Sequence, residues 1–167
     1  MPPDFRSVDF YYNAQIEKHI CRHFASSTKA GGTFLEDITN VAQLLALVDE
    51  STLVEKKTQG RMRSCLVFEH HREIGRLGIG LRTQYDAGLI QQEMRDGIMI
   101  DFVNVEQLPT TNVFTLVCTW EKGRWQLITA YPGPAGEPFP HPKWDAQQNE
   151  QSERFWSRYV LLKLKKD

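Results

Sequence analysis

The chain has 167 residues, of which 41% are apolar and 25% charged, with a formal net charge of -1. That composition excludes a largely disordered chain, and no apolar run approaches the roughly 20 residues of a membrane span. The length suffices for one core without disulfides or a structural metal, and the near-zero charge excludes a uniformly basic nucleic-acid binder while leaving room for a local basic cleft.

Met1 to Asn13 lacks a basic n-region followed by an apolar h-region, so a cytoplasmic location is expected. The first helix is expected from about Asp9 to Phe24, where Tyr12, Ile16, Ile20 and Phe24 recur every four residues. Ala25 to Phe34 reads as a polar loop with Lys29 and Gly31-Gly32. Asn40 reads as the N-cap of a second helix, with Gln43 three residues on. Val41, Leu44, Leu45 and Val48 then give one apolar face.

From about Arg61 the pattern changes to strands rich in β-branched and aromatic residues. Candidates are Met62 to Glu69, Ile74 to Thr83, Ile98 to Val105, Asn112 to Trp120 and Arg124 to Tyr131. Glu121-Lys122-Gly123 suits a hairpin connection between the last two. A short helix is a candidate at Ala87 to Met94. The proline-rich stretch from Pro132 to Pro142 reads as an extended loop, and a final helix is expected at about Asn149 to Leu162. Helices followed by a run of strands predict an α+β fold, with helices on one face of a twisted antiparallel sheet. One domain is expected over 1–167, with a core at 9–132 and an appended loop and helix at 133–167. The cysteines at 21, 65 and 118 form no CxxC pair, which suits reduced thiols.

Three features could carry chemistry. His19 and His23 stand four apart, sharing a helix face, and Lys18 and Arg22 form the adjacent pair. Neighbouring positive charge disfavours protonating both imidazoles, and one neutral with one charged ring is what paired base and acid chemistry requires. The same spacing suits a solvated helix face, or two ligands of a shared ion for which no third ligand sits at a telling offset. In the strand around Leu127, Thr129 and Tyr131, two hydroxyls alternate on one side. They could hold a phosphate or simply reflect β-propensity. Between Val54 and Arg82, Lys56, Lys57, Arg61, Arg63, Arg72, Arg76 and Arg82 outnumber Glu55, Glu69 and Glu73. Residues Gln84 to Glu106 reverse the sign, so a phosphate-facing side and an acidic side are both available. His70 and His71 lie in the basic stretch and, as successive strand residues, should point to opposite faces.

The order of these residues resembles a known family. His19-Ile20 and His23 come first, then a Lys and Gly loop ending in Thr33-Phe34, then an amphipathic helix and several strands. The last strand is Trp125-Gln126-Leu127-Ile128-Thr129-Ala130-Tyr131-Pro132. This pattern, from roughly Ile16 to Pro132, resembles the barnase–EndoU–colicin–RelE superfamily of RNases. It is nearest to the EndoU-like nuclease domains of bacterial polymorphic and contact-dependent inhibition toxins. The resemblance implies N-terminal helices packed on a curved antiparallel β-sheet and a metal-independent endoribonuclease without cofactors. The 2′-hydroxyl would attack the adjacent phosphate and leave a 2′,3′-cyclic phosphate. Carried over, His19, His23, Thr129 and Tyr131 would be catalytic, and Lys18, Arg22, Lys29, Arg72 and Arg76 would meet the RNA. RNA and a cognate immunity protein would be the partners. A non-catalytic RNA- or protein-binding module is the alternative, and a structural or interaction protein presenting aromatics such as Trp144 and Trp156 is a third reading.

Overall fold

The computed structural model describes residues 5–24, 32–59 and 62–165. Its elements in chain order begin with β1 (Phe10–Tyr11), α1 (Ala14–Ile20), β2 (Thr33–Phe34), α2 (Val41–Ala46), β3 (Thr52–Gln59) and β4 (Arg63–Glu69). Then follow β5 (Gly75–Arg76), β6 (Ile79–Leu81), β7 (Gln91–Arg95), β8 (Ile98–Val105), β9 (Thr110–Thr111) and β10 (Val113–Glu121). The last are β11 (Arg124–Pro132), α3 (Ala146–Arg158) and β12 (Tyr159–Leu164).

Among the described residues strands hold 42%, in three sheets, against 27% in helical segments. This corrects the expected architecture. The fold is a β-rich α+β fold built on three sheets, in place of the expected N-terminal helices laid on one curved antiparallel sheet. The physical reason is local. Asn13 accepts a hydrogen bond from the Ile16 amide at 2.9 Å and so starts α1 late, leaving Phe10–Tyr11 as a strand. After Ile20 the chain tightens into a 3-10 turn at Cys21–His23. The sheets are also not purely antiparallel, because β1 runs parallel to β11 and β12 parallel to β8.

The chain divides into two compact units. The first, Met1–Leu77 with Pro109–Ala135, holds the sheet β1-β11-β10-β4-β3 and the small sheet β2-β5-β9. One face of the large sheet presents Leu66, Phe68, Phe114, Leu116, Leu127 and Ala130 to a core completed by Ile20, Phe34, Val41, Leu44 and Val48. The expected cap of the second helix is present: Asn40 Oδ1 accepts from the Gln43 amide at 2.8 Å. Gln43 reaches back to the Thr39 amide, also at 2.8 Å.

The second unit, Gly78–Leu108 with Gly136–Asp167, holds the sheet β6-β12-β8-β7. Of the short helix expected at Ala87 to Met94, Ala87–Leu89 forms a 3-10 turn, and the rest falls in β7, which pairs with β8. Asp96 and Gly97, both at positive φ, make the tight turn that closes this hairpin. The final helix begins and ends earlier than the expected Asn149 to Leu162, at Ala146–Arg158. Asp145 caps it by accepting from the Gln148 amide at 2.7 Å, and Tyr159–Leu164 leaves it as a strand between β6 and β8. Among the described residues no helix is long and apolar enough to cross a membrane.

Candidate functional site

The β10–β11 hairpin turns at Lys122-Gly123, both at positive φ. Its ladder carries one irregularity. Val117 pairs with Thr129 but Cys118 pairs with Leu127, so Ile128 is an extra residue. That bulge resets the alternation of β11. Leu127 and Ala130 therefore both enter the main core, whereas Thr129 and Tyr131 stand on the other face. Leu127 does not share a side with Thr129, contrary to simple alternation from the sequence.

On that second face Tyr131 packs against Cys65, Val67, Val117 and Ala135. Beside it, Thr115 donates its hydroxyl to the Gly133 carbonyl at 2.8 Å. Thr129 Oγ1 is buried without a hydrogen-bond partner among the described residues. A buried hydroxyl in that state is costly, which makes it ready to donate to a group that enters.

β1 pairs with β11 only at Trp125 and Gln126, so it leaves the rest of that edge uncovered. The 3-10 turn Cys21–His23 and β2 lie beside β11. This places the His23 ring 6.2 Å from the Tyr131 ring, centroid to centroid, with the planes tilted by 51°. His23 Nδ1 lies 3.0 Å from the Gly32 carbonyl oxygen. A carbonyl can only accept, so Nδ1 carries a proton and Nε2 is the nitrogen that can take and give one. The ring is thus fixed in orientation and tautomer by the backbone.

His19 is exposed on α1. After Ile20 the winding changes from α to 3-10, and the turn that follows carries His23 to Tyr131. Lys18 is exposed on α1, and its carbonyl accepts from Cys21 Sγ at 2.7 Å. Arg22 falls in the 3-10 turn, but Lys29 and the Arg22 side chain lie outside the described residues.

Arg72 and Arg76 belong to a different cluster. Arg72 bonds Asp37 at 2.7 Å, and Arg76 bonds Glu36 at 3.0 Å. A backbone hydrogen bond, reinforced by Arg76, holds the Glu36 carboxyl below its ordinary range. Arg76 nevertheless pairs across the ladder with Thr33, the residue after Gly32. The preceding Gly75 lies so close to Pro132 that an added Cβ would meet the proline Cβ at 2.5 Å. The small sheet β2-β5-β9 thus sits against the end of β11, and Arg76 is the cation within it. This contact was not legible in the sequence.

His70 and His71 do not point apart. The strand ends at Glu69, and the two rings lie 4.1 Å apart. His70 is buried, and its Nδ1 accepts from the Arg72 amide at 3.1 Å. Its Nε2 therefore carries the proton, which it donates to Glu50 at 3.2 Å. Both nitrogens hold the bend together. All three cysteines are free thiols, and burial, with Cys65 adding to it, pushes the Cys118 thiol up. Among the described residues no group of three or more His, Cys, Asp or Glu is placed to hold a metal ion. No family model, curated protein or solved structure matches this chain.

Proposed function

We propose that the chain is a metal-independent endoribonuclease that cleaves by 2′-hydroxyl attack and leaves a 2′,3′-cyclic phosphate. The observation that carries this reading is the pairing of His23 with Tyr131, with Nδ1 tied to the Gly32 carbonyl. An imidazole oriented in this way presents Nε2 as a base for the 2′-proton. The Tyr131 and Thr129 hydroxyls would donate to the phosphate oxygens as charge develops there, with Arg76 supplying positive charge. His19, on the flanking helix, is assigned the acid that protonates the leaving 5′-oxygen. Dependence on the 2′-hydroxyl makes RNA, not DNA, the substrate. A toxin role with a cognate immunity protein belongs to the same reading, and growth arrest on expression would support it.

The test is cleavage of labelled RNA in EDTA by the wild-type chain, His23→Ala, Tyr131→Phe and His19→Ala. Loss of the base should slow cleavage by on the order of 10²–10⁴. Tyr131→Phe, which keeps the ring, should lower the rate while the chain still melts as a folded protein. No cleavage by the wild type, or equal cleavage by all four, would overturn the reading. Salt-dependent binding that leaves the RNA intact would instead favour a non-catalytic binding module.

A further inference from the structure

The opposite end of β11 carries aromatics and cations that packing does not require. Trp125 closes the edge of the main core, but Trp120, its ladder partner, lies outside that core and is 57% exposed. The two indoles meet edge to face at 5.1 Å. Lys56 Nζ stands 5.3 Å from the Trp125 ring on the same face of the sheet. Around the strand end, on the other face, the Arg124 guanidinium lies 3.9 Å from the Tyr11 ring, and Tyr11 is 43% exposed. Lys122 occupies the turn between them. Glu121 is the acid next to it, and it stands opposite Arg124 in the ladder. The end of the hairpin therefore joins an exposed indole, Trp120, to two rings, Trp125 and Tyr11, that already have cations beside them.

We infer that this hairpin end is a holding site for single-stranded RNA, separate from the His23–Tyr131 centre. It deepens the ribonuclease reading and rests on it for the identity of the strand as RNA. A large exposed indole offers a face to any unpaired base, and adjacent cations meet the phosphates that link such bases. A duplex keeps its bases stacked on each other and so cannot use these faces. A hydrophobic protein partner would not call for cations beside Trp125 and Tyr11, whereas a polyanion with flat bases does. From Trp125 to Tyr131 the strand spans roughly 20 Å. Only an RNA of several nucleotides can reach both places, so the holding site favours long single strands over short ones.

The test uses a fluorescent single-stranded 2′-O-methyl RNA, which lacks the nucleophile and stays intact, with binding followed by anisotropy. The full chain should bind it, and binding should weaken as salt rises. Trp120→Ala should weaken binding roughly 5- to 100-fold, and Trp120→Phe, which keeps a π-face, should retain most of it. Lys56→Gln should reduce the salt slope by about 0.7. A duplex of the same sequence should bind less well. Cleavage of a dinucleotide by Trp120→Ala should equal that of the wild type. No binding by the wild-type chain, unchanged binding by Trp120→Ala, or a Trp120-dependent dimer without RNA binding overturns the inference. Binding that depends on Trp120 in a chain that cleaves nothing strikes the catalytic reading and leaves this one standing.

Discussion

The two units are stabilised by different means. The first rests on a continuous apolar core in which Phe34, Phe68, Phe114, Leu44 and Leu116 are fully buried. The second has a small apolar cluster, Val103, Val160 and Leu162, and leans on charge. Lys163 reaches Glu93 at 2.6 Å, and Arg95 bonds the same carboxylate at 2.8 Å. Arg82 bonds Asp101 at 2.8 Å and also donates to the Trp156 and Tyr159 carbonyls at the end of α3. Apolar burial is indifferent to acid and salt, whereas ion pairs at partly exposed sites are screened and titrate. The second unit should therefore respond to conditions that leave the core strands of the first unchanged, since the pairs Arg72–Asp37 and Arg76–Glu36 lie outside that core.

The largest expected effect comes from cutting into the first core. Leu116→Ala should cost about 2–5 kcal/mol, read from chemical denaturation. A cost below about 1 kcal/mol would mean that the apolar core is not what holds this unit. Next is Gly75→Ala, whose new Cβ would run into Pro132. Overpacking of that kind costs about 1–3 kcal/mol and should also lower RNA cleavage, since it pushes on the end of β11.

In the second unit, Arg82→Ala removes the partner of Asp101 and uncaps the α3 carbonyls. The expected cost is about 1–2 kcal/mol, trimmed by partial exposure. Faster amide exchange in β6, β8 and β12, with β4, β10 and β11 unchanged, would confirm that the loss is local.

Acid probes the same contrast. Lys163 holds the Glu93 carboxyl low, with Arg95 adding to it. Burial alone would raise the Asp101 carboxyl, but the hydrogen bonds from Arg82 and Gln92 outweigh it and leave it lowered. Carboxyls held low in the folded state stabilise it above their ordinary values, and lose that contribution as pH falls through the lowered ones. Protection factors in the second unit should accordingly fall from about pH 4 downward, while those of the core strands of the first hold. The smallest effect is expected for Arg154→Ala, which breaks an exposed pair with Glu150 on α3 and should change stability by less than about 0.5 kcal/mol.

Signals contained in a few neighbouring residues were legible in the sequence. The Asn40 cap, the apolar face of α2 and strands β4, β8, β10 and β11 all follow from local pattern. Asp96-Gly97 carried an equally local hairpin signal, which the helical reading of Ala87 to Met94 passed over. What depends on distant partners was not legible. Tyr159–Leu164 becomes a strand because β6 and β8 leave a place between them. The N-terminal stripe from Tyr12 to Phe24 fits one long helix, yet the Asn13 cap and the 3-10 turn divide it. In the candidate site, Tyr131 could be named from the closing strand, but not the anchor that ties His23 to Gly32. The bulge at Ile128 was hidden because it changes the pairing with β10 and leaves no mark in β11 itself.

That bulge gives the hairpin an uneven tolerance to lost residues. Removing a residue farther from the bulge, such as Gln126 or Tyr131, shifts the neighbouring side chains to the wrong face of the sheet. Removing Ile128 instead restores a regular ladder, with Leu127 still opposite Cys118 and Thr129 still opposite Val117. The core and the hydroxyl face would both survive, and only the local bend that aims Tyr131 would be lost. Among the residues of β11, Ile128 is thus where the gene can shorten without unfolding the protein, and where a deletion would report on aim rather than on stability.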